Sequence, residues 1–453
     1  MTLGVSALSR PANARALIGG LGVASLLGYG VGLPLLVAGS PRTHVAYIGL
    51  FGGLFLLYVL AVFVVLRRSA DDRLLLGLVL AFALLFRLSL LASPVVLSSD
   101  LYRYLWDGRV QWAGISPYRY APAAAELVPL RDETIYPNIN RPGKPTVYPP
   151  GAEVAFALVA LVAPDSLPAW RTFLLASEVV TVGVLLTLLR RAGVTQAAAI
   201  VYAWSPLVVF EGVQAGHVDL ALIPLVLAAL AWRQSGSSVR AGIALGAAVL
   251  MKLYPLVLLP AWWRPRDWRF PAAVAATVTL GYLPHAATVG IGALGFLPEY
   301  LGSAEDHNIG LRALLTYPLG LTGELARGVA MVLLFALMAG VVVWIGRVNG
   351  GEATGMTRAG ALAVASYLLL VPTSMHPWYA LWIVPFLCFR PWPAWFYFTG
   401  AVTLSYMSYV VEPAAIPWWA WLAEYGPLYA LLFHSGWRAL VQRAPAALAP
   451  RST

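Results

Sequence analysis

The chain has 453 residues, of which 60% are hydrophobic and only 11% are charged, and its mean hydropathy is +0.75. An average soluble domain is roughly half apolar and about a quarter charged, so this composition excludes a soluble globular protein, a disordered protein, a nucleic-acid binder and a disulfide scaffold. The net charge of +10 indicates basic cytoplasmic loops, which the positive-inside bias of membrane proteins explains.

Apolar stretches recur along the whole sequence, and several approach the roughly 20 residues that a bilayer core requires. The pattern predicts an all-α integral membrane protein, a single polytopic bundle over residues 1–453 with about 12–14 transmembrane helices. We expect three helices at 16–97, an outer loop at 98–167, central helices at 168–290, a second outer loop at 291–324 and C-terminal helices at 325–436.

The topology depends on two segments, 148–164 and 239–266, that each allow two interpretations. If each crosses the membrane once, 15 basic residues lie inside and 13 outside. In the other arrangement, 148–164 lies on or dips into the membrane, and 239–266 enters and returns as two short helices broken at Tyr254 and Pro255. This arrangement places 18 basic residues inside and 10 outside. The positive-inside rule favours the second arrangement, and both arrangements place the N- and C-termini in the cytoplasm.

The first outer loop, 98–150, is the most polar part of the chain. Its first part, 99–113, predicts an amphipathic helix at the membrane surface. One face of this helix contains Leu101, Leu105 and Trp112, and another contains Asp100, Tyr104, Asp107 and Gln111. Polar clusters at 216–219, 305–308 and 375–378 are predicted on the same side of the membrane. Because ionisable residues in membrane proteins indicate functional sites, their convergence predicts an outward-facing active cavity.

A membrane cavity with a carboxylate, histidines, aromatic rings and one or two cations suits glycosyl transfer from a lipid-phosphate sugar. The carboxylate can take the proton of an acceptor hydroxyl, and the cations can stabilise the departing phosphate. The sequence has no Gly-rich phosphate loop and no metal-ligand cluster. We therefore expect neither a nucleotide-sugar donor nor a cofactor, and we assume that the reaction is metal-independent.

Several motifs resemble those of the C-type (GT-C) membrane glycosyltransferases. SDLYRYLWDGR at 99–109 is followed by GISPY at 114–118, LRD at 130–132, YP at 136–137, IN at 139–140 and YPP at 148–150. Further motifs are GHVD at 216–219, KLYP at 252–255 and HPWY at 376–379. The set is similar to bacterial polyprenyl-phosphate-mannose-dependent mannosyltransferases of family 87. The resemblance implies an inverting transferase in the bacterial plasma membrane, with its active site facing the periplasm.

The resemblance also implies roles for particular residues. Asp100 matches the loop aspartate that is the family's proposed general base. Many C-type enzymes have two adjacent acidic residues there, but Asp100 is flanked by Ser99 and Leu101, and Asp107 lies about 10 Å further along the helix. The choice of base between the two aspartates therefore stays open. Contacts with the donor phosphate or sugar are expected from Arg103, Lys252, His376 and Tyr148, and the substrate cavity is expected to include His217, Asp219, Asp306, His307 and Asn308.

Each of these residues also has a structural interpretation. Asp100 could be a first-turn carboxylate of its helix, and Asp107 could pair with Arg103 at i, i+4 spacing. Lys252 could pair with Glu211 or Asp219, because a lysine between apolar segments requires a partner.

A lipid or polysaccharide transporter or flippase is the alternative function. It would use the same cavity and Lys252 to escort a phosphate head group. The carboxylates lie in a long outer loop rather than at mid-membrane, which favours the enzyme. The expected partners are a polyprenyl-phosphate sugar donor, a glycolipid or glycan acceptor and membrane lipids, without nucleic acid. Mannose follows only from the typical donor of the resembling family, since glucose or arabinose would need similar chemistry.

Overall fold

The computed structural model describes residues 11–39, 43–67, 72–302, 307–316, 323–348, 353–372, 374–411 and 415–443. Regular secondary structure in these ranges is helical, apart from one parallel β-bridge between His307 and Ser374. The prediction of an all-α fold is confirmed.

Nineteen α-helices occur in the described residues. The first ten are α1 (Pro11–Leu27), α2 (Leu33–Gly39), α3 (Thr43–Leu66), α4 (Arg73–Leu88), α5 (Asp100–Trp112), α6 (Pro150–Val162), α7 (Leu167–Arg191), α8 (Ile200–Ala203), α9 (Asp219–Gln234) and α10 (Ser238–Met251). The others are α11 (Leu258–Trp262), α12 (Arg269–Val289), α13 (Leu297–Gly302), α14 (Leu311–Thr316), α15 (Glu324–Val348), α16 (Ala353–Leu370), α17 (Val384–Leu387), α18 (Pro393–Ala401) and α19 (Trp418–Arg443).

Five helical segments of the described chain are long and apolar enough to cross a membrane, which makes this a polytopic membrane protein. They are Ala12–Leu36, Thr43–Leu66, Leu167–Arg191, Arg269–Tyr300 and Gly328–Val348. A bent pair, Gln196–Ala203 and Val208–Gln214, raises the number to six if its 63° bend belongs to one span. Several other predicted spans are short or broken helices, and the number of crossings stays a prediction.

Both segments that leave the topology open are short helices. In the first, α6 has 13 residues and a length of about 20 Å, which is less than a hydrocarbon core of about 30 Å. In the second, α10 ends at Met251 and Lys252 is extended, with φ −162° and ψ 144°. A 3₁₀ turn, Tyr254–Val257, and α11 follow, so the break begins two residues before the predicted position. This geometry agrees with the arrangement of two short helices.

The predicted loop helix is present as α5, but it is enclosed by protein rather than lying at the surface. Residues of both predicted faces are buried, among them Leu101, Leu105, Tyr104 and Asp107. The helix packs against α6 so closely that a Cβ atom on Gly108 would lie 2.7 Å from the carbonyl oxygen of Phe156. The polar face of α5 is therefore turned toward other polar residues inside the protein. In a helix at the membrane surface, that face would be turned toward water.

Candidate active site

A cavity of about 390 Å³ lies where the first outer loop meets the break after α10 and the turn before Pro377–Trp382. Five of the predicted site residues line it: Asp100, Arg103, Tyr148, Lys252 and His376. Its wall also contains polar and aromatic residues that the sequence analysis did not single out for the site, including Asn140, Arg141, Lys144, Tyr300, Tyr379 and Trp382. Residues distant in sequence therefore share one cavity.

Asp100 is the first residue of α5, and its side chain is 16% exposed. Its carboxylate accepts a hydrogen bond from the Asn140 amide, and His217 Nδ1 lies 3.6 Å from its Oδ2 atom. Burial acts to raise the pKa of Asp100, but His217, His376 and Lys252 outweigh it and lower the pKa to about 2. Asp100 is therefore an ionised carboxylate in the cavity wall.

His217 is completely buried behind that wall, between two carboxylates. Its Nε2 lies 3.4 Å from Oε2 of Glu211, opposite the contact with Asp100, and its ring stacks on Trp378 with centroids 4.0 Å apart. Burial acts to lower the pKa of His217, but the two carboxylates raise it to about 9. The turn before it needs glycine, because Gly216 has φ +77° and a Cβ there would lie 2.5 Å from Leu101.

Lys252 pairs with Asp219. Its Nζ lies 2.8 Å from both carboxylate oxygens of Asp219, and Trp382 Nε1 donates to the same carboxylate at 2.7 Å. The ammonium group also lies 4.6 Å from the ring centroid of Tyr379. Asp219 is fully buried, whereas the Lys252 side chain is 21% exposed and reaches the cavity. One of the two pairings considered for Lys252 is therefore formed, and a bound phosphate would share this lysine with Asp219.

His376 belongs to a row of rings beside the cavity. It stacks on Trp378 at 4.3 Å and on His307 at 5.3 Å between centroids. Burial, together with the charges of His307 and Lys252, lowers the pKa of His376 to about 3 despite the opposing effect of Asp100. The imidazole is therefore neutral and can hydrogen-bond to a ligand, but it does not contribute a positive charge.

The other residues predicted in the substrate cavity either do not line it or lie outside the described residues. Asn308 has φ +51° and is buried, and its amide donates to the carbonyl oxygen of Met375 at 3.2 Å. The backbone carbonyl oxygen of Asn308 accepts a 2.8 Å hydrogen bond from the Tyr425 hydroxyl. Asp306 lies outside the described residues.

Asp107 is separated from Asp100 and belongs to a buried polar cluster. Arg103 Nε lies 2.9 Å from both of its carboxylate oxygens, which is the i, i+4 pair considered from the sequence. Glu153 completes the cluster and accepts hydrogen bonds from Thr146 at 2.6 Å and Gln111 at 2.9 Å. Burial raises the pKa of Asp107, and burial with the charge of Asp107 raises that of Glu153 well above its usual value. One arginine therefore serves two carboxyl groups, and burial raises the pKa of both.

Motif residues further along the loop hold it in place. Arg109 contacts Asp132 at 2.8 Å and Asp165 at 2.9 Å, and it donates to the carbonyl oxygen of Leu130. Asp132 also accepts from the backbone amides of Ile135 and Tyr136. These contacts connect α5 with the loop and with Asp165 just before α7, and none of the three side chains lines the cavity.

Sequence reasoning did not assign a site role to Glu211, Asn140 or Tyr406. Asn140 was quoted only as part of a motif, and Glu211 only as a partner of Lys252. The position of Glu211 in an apolar stretch could have indicated a functional role, because an acidic residue inside the membrane requires a partner. Nothing in the sequence indicated that this partner is His217. Among the described residues, no group of three or more His, Cys, Asp or Glu side chains could hold a metal ion.

The fold and this cavity, together with the family match, define a membrane-embedded glycosyltransferase. A family model described as alpha-(1->6)-mannopyranosyltransferase, N-terminal domain, matches residues 12–264, more than half of the chain. The chain belongs to this family and is a mannosyltransferase. The matched region includes Asp100, His217 and Lys252 but ends before His376. No curated protein and no solved structure matches the chain.

Proposed function

We propose that the protein transfers mannose from polyprenyl-phosphate mannose to a hydroxyl group of a glycolipid or glycan acceptor. The transfer inverts the anomeric carbon and takes place at the outer face of the bacterial plasma membrane. The observation that carries this proposal is the convergence of Asp100, Tyr148, Lys252 and His376 on one cavity in a membrane protein. The family name supports an α-linked product, and inversion to an α product requires a β-linked donor.

Asp100 acts as the general base. Its carboxylate is ionised, is held by Asn140 and faces the cavity, as a base that receives the acceptor proton must be. The acceptor oxygen attacks the anomeric carbon as Asp100 takes its proton. The bond from that carbon to the phosphate oxygen breaks, and its electron pair leaves with polyprenyl phosphate.

Lys252 and Arg103 stabilise the leaving phosphate, and His376 donates a hydrogen bond to it. Negative charge grows on the phosphate in the transition state, where cations in a dry cavity have their largest effect. Lys252 reaches the cavity past Asp219, and Arg103 keeps a buried Nη2 donor that makes no hydrogen bond with the described residues. The rings of Tyr148, Tyr379 and Trp382 offer surfaces on which sugar rings can stack.

The lipid tail of the donor occupies the apolar side of the cavity. Met331 and Phe335 of α15 and Val371 after α16 line this side. Because α15 is one of the helices able to span a membrane, the cavity and the lipid phase share a wall there. A polyprenyl chain can therefore stay in the membrane while its phosphate reaches Lys252.

A donor panel tests the proposal. The purified protein in lipid nanodiscs is incubated with a membrane glycolipid fraction and with labelled polyprenyl-phosphate mannose, polyprenyl-phosphate glucose, polyprenyl-phosphate arabinose or GDP-mannose. We expect a labelled glycolipid only from polyprenyl-phosphate mannose, with an added hexose by mass and an α linkage by mannosidase digestion. Transfer from GDP-mannose in the absence of polyprenyl phosphate, or no transfer from polyprenyl-phosphate mannose, would contradict the proposal.

A further inference from the structure

We propose that Glu211 is a positioning residue for mannosyl transfer, acting on the base Asp100 through His217; this inference rests on the proposed function. Glu211 keeps His217 charged and oriented, and the charged His217 holds the Asp100 carboxylate aimed at the cavity.

The four groups form a continuous series from the cavity into the helix bundle. Asp100 Oδ2 and His217 Nδ1 are 3.6 Å apart, and His217 Nε2 and Glu211 Oε2 are 3.4 Å apart. The Tyr406 hydroxyl donates to the Glu211 carboxylate, with its oxygen 2.8 and 3.0 Å from the two carboxylate oxygens. Exposure falls from 16% for the Asp100 side chain to 0% for His217 and 1% for Glu211. Only the first member of the series can touch a substrate.

The imidazole is fixed in this orientation by its surroundings. Its ring stacks on Trp378 at an interplanar angle of 18°, so it cannot rotate without displacing that indole. The His217 backbone amide donates to the carbonyl oxygen of Glu211 at 3.2 Å, which holds the two residues together across the turn at Gly216. The spacing between carboxylate, imidazole and carboxylate is therefore built into the backbone.

The charges of the series explain how Glu211 can act on Asp100. Burial opposes the charge on Asp100, and His217 makes the largest of the contributions that offset it, beside His376 and Lys252. A charged imidazole 3.6 Å away also attracts the carboxylate and so fixes its direction, but burial opposes the charge on His217 as well. Glu211 supplies the second carboxylate that keeps the imidazole protonated. The titratable and charged groups that face the series are Lys252, His376, Tyr47, Tyr104, Tyr148, Tyr406 and Tyr409.

A defined pH dependence follows. The pKa of His217 is raised to about 9, so its charge is present below that pH and lost above it. In the Glu211→Gln variant one of the two carboxylates that raise this pKa is absent, so His217 loses its proton, and with it the charge that orients the Asp100 carboxylate, at a lower pH. We expect the alkaline limb of kcat to move down by one pH unit or more, and one unit corresponds to a tenfold change in the proton equilibrium. KM for the donor should stay within about twofold, because Glu211 does not line the cavity.

The experiment compares kcat across pH 5–10 for wild type, Glu211→Gln, Glu211→Asp, His217→Gln and the Glu211→Gln/His217→Gln double variant. Glu211→Asp keeps the charge and should restore most of the wild-type profile. In the His217→Gln background, Glu211→Gln should cause no further loss, since its effect passes through the imidazole. Glu424→Gln is the matched control, because Glu424 is equally buried in α19 but lies outside the series.

Additive losses in the double variant would overturn the proposal, as would an unchanged pH profile in Glu211→Gln or an equal shift in Glu424→Gln. If Glu211→Gln does not fold, the profile of His217→Gln decides: an alkaline limb unchanged from wild type would overturn the proposal. The proposed function fails separately, through the absence of mannosyl transfer from polyprenyl-phosphate mannose by the wild-type protein, whereas failure of the Glu211 inference leaves that transfer in place.

Discussion

Asp100 and Asp107 stand on the same helix, two turns apart, in opposite environments. Asp100 faces the cavity beside His217, which holds its pKa low, whereas Asp107 is buried beside Glu153 and Arg103 with a raised pKa. The sequence places both carboxylates on one face of α5 and leaves the choice of base open. The difference arises from residues of other segments. Glu153 is 46 positions after Asp107, and His217 is 117 positions after Asp100.

We predict that Asp107→Asn weakens the fold rather than the chemistry. Removing one partner of a buried ion pair costs about 3–5 kcal/mol, and ionisation of Glu153 beside Arg103 should keep the loss near the lower end. Thermal unfolding in detergent should give a lower Tm, while kcat per folded molecule stays within about threefold of wild type. A fall of about 10² in kcat with an unchanged Tm would instead make Asp107 the base.

For Lys252 the useful variant is one that removes both charges of its ion pair. Lys252→Met alone leaves Asp219 buried and unpaired, so it should destabilise the protein. Lys252→Met/Asp219→Asn balances the charges, and we expect it to fold but to lose about 10²–10³ in kcat/KM for the donor, because the leaving phosphate has lost a cation. Wild-type kcat/KM in this double variant would mean that Lys252 serves only to neutralise Asp219.

At the scale of the elements, the contact between α5 and α6 bears directly on the site. It places Asp100 at the cavity and buries the polar cluster of Arg103, Asp107 and Glu153. Gly108 makes the close approach possible, because a Cβ atom there would lie only 2.7 Å from the carbonyl oxygen of Phe156.

We predict that Gly108→Ala separates these helices. The added methyl group would lie 2.7 Å from a backbone oxygen, which cannot rotate away as a side chain can. Both Tm and kcat should fall, because displacement of α5 also moves Asp100. Gly143→Ala is the matched control in the same loop, since a Cβ there meets nothing within 4 Å. Equal behaviour of the two variants would show that the contact does not limit the site.

The helical elements were largely predictable, because hydrophobic length and period are local properties of the sequence. The loop helix, the short helix at 150–162 and the break near Pro255 were all predicted, to within two residues for the break. The burial of α5 was not, because an amphipathic pattern does not distinguish a lipid surface from a buried polar cluster. The hydrophobic pattern also does not show where a helix breaks, and several of the predicted spans are broken helices.

For the whole molecule, the predicted topology has 98–150 outside and both termini inside. The single native cysteine, Cys388, is buried at 1% exposure, so single-cysteine labelling has a low background. Glu126 is exposed in the outer loop, and Trp268 is 66% exposed between α11 and α12.

We predict that a membrane-impermeant maleimide labels Glu126→Cys in intact cells, and Trp268→Cys only after permeabilisation. Opposite labelling would invert the orientation and place the cavity in the cytoplasm. Labelling of both in intact cells would contradict both arrangements, because each of them places 264–269 in the cytoplasm.

The most direct test of the account is the turnover of Asp100→Asn with polyprenyl-phosphate mannose. The substitution keeps the size of the side chain but removes the group that accepts the proton, so kcat should fall by about 10²–10⁴. KM for the donor should change little, and Glu126→Gln, which changes an exposed acid of the same loop outside the cavity, should retain turnover close to wild type. Asp100→Asn with wild-type kcat would contradict the assignment of Asp100 as the base.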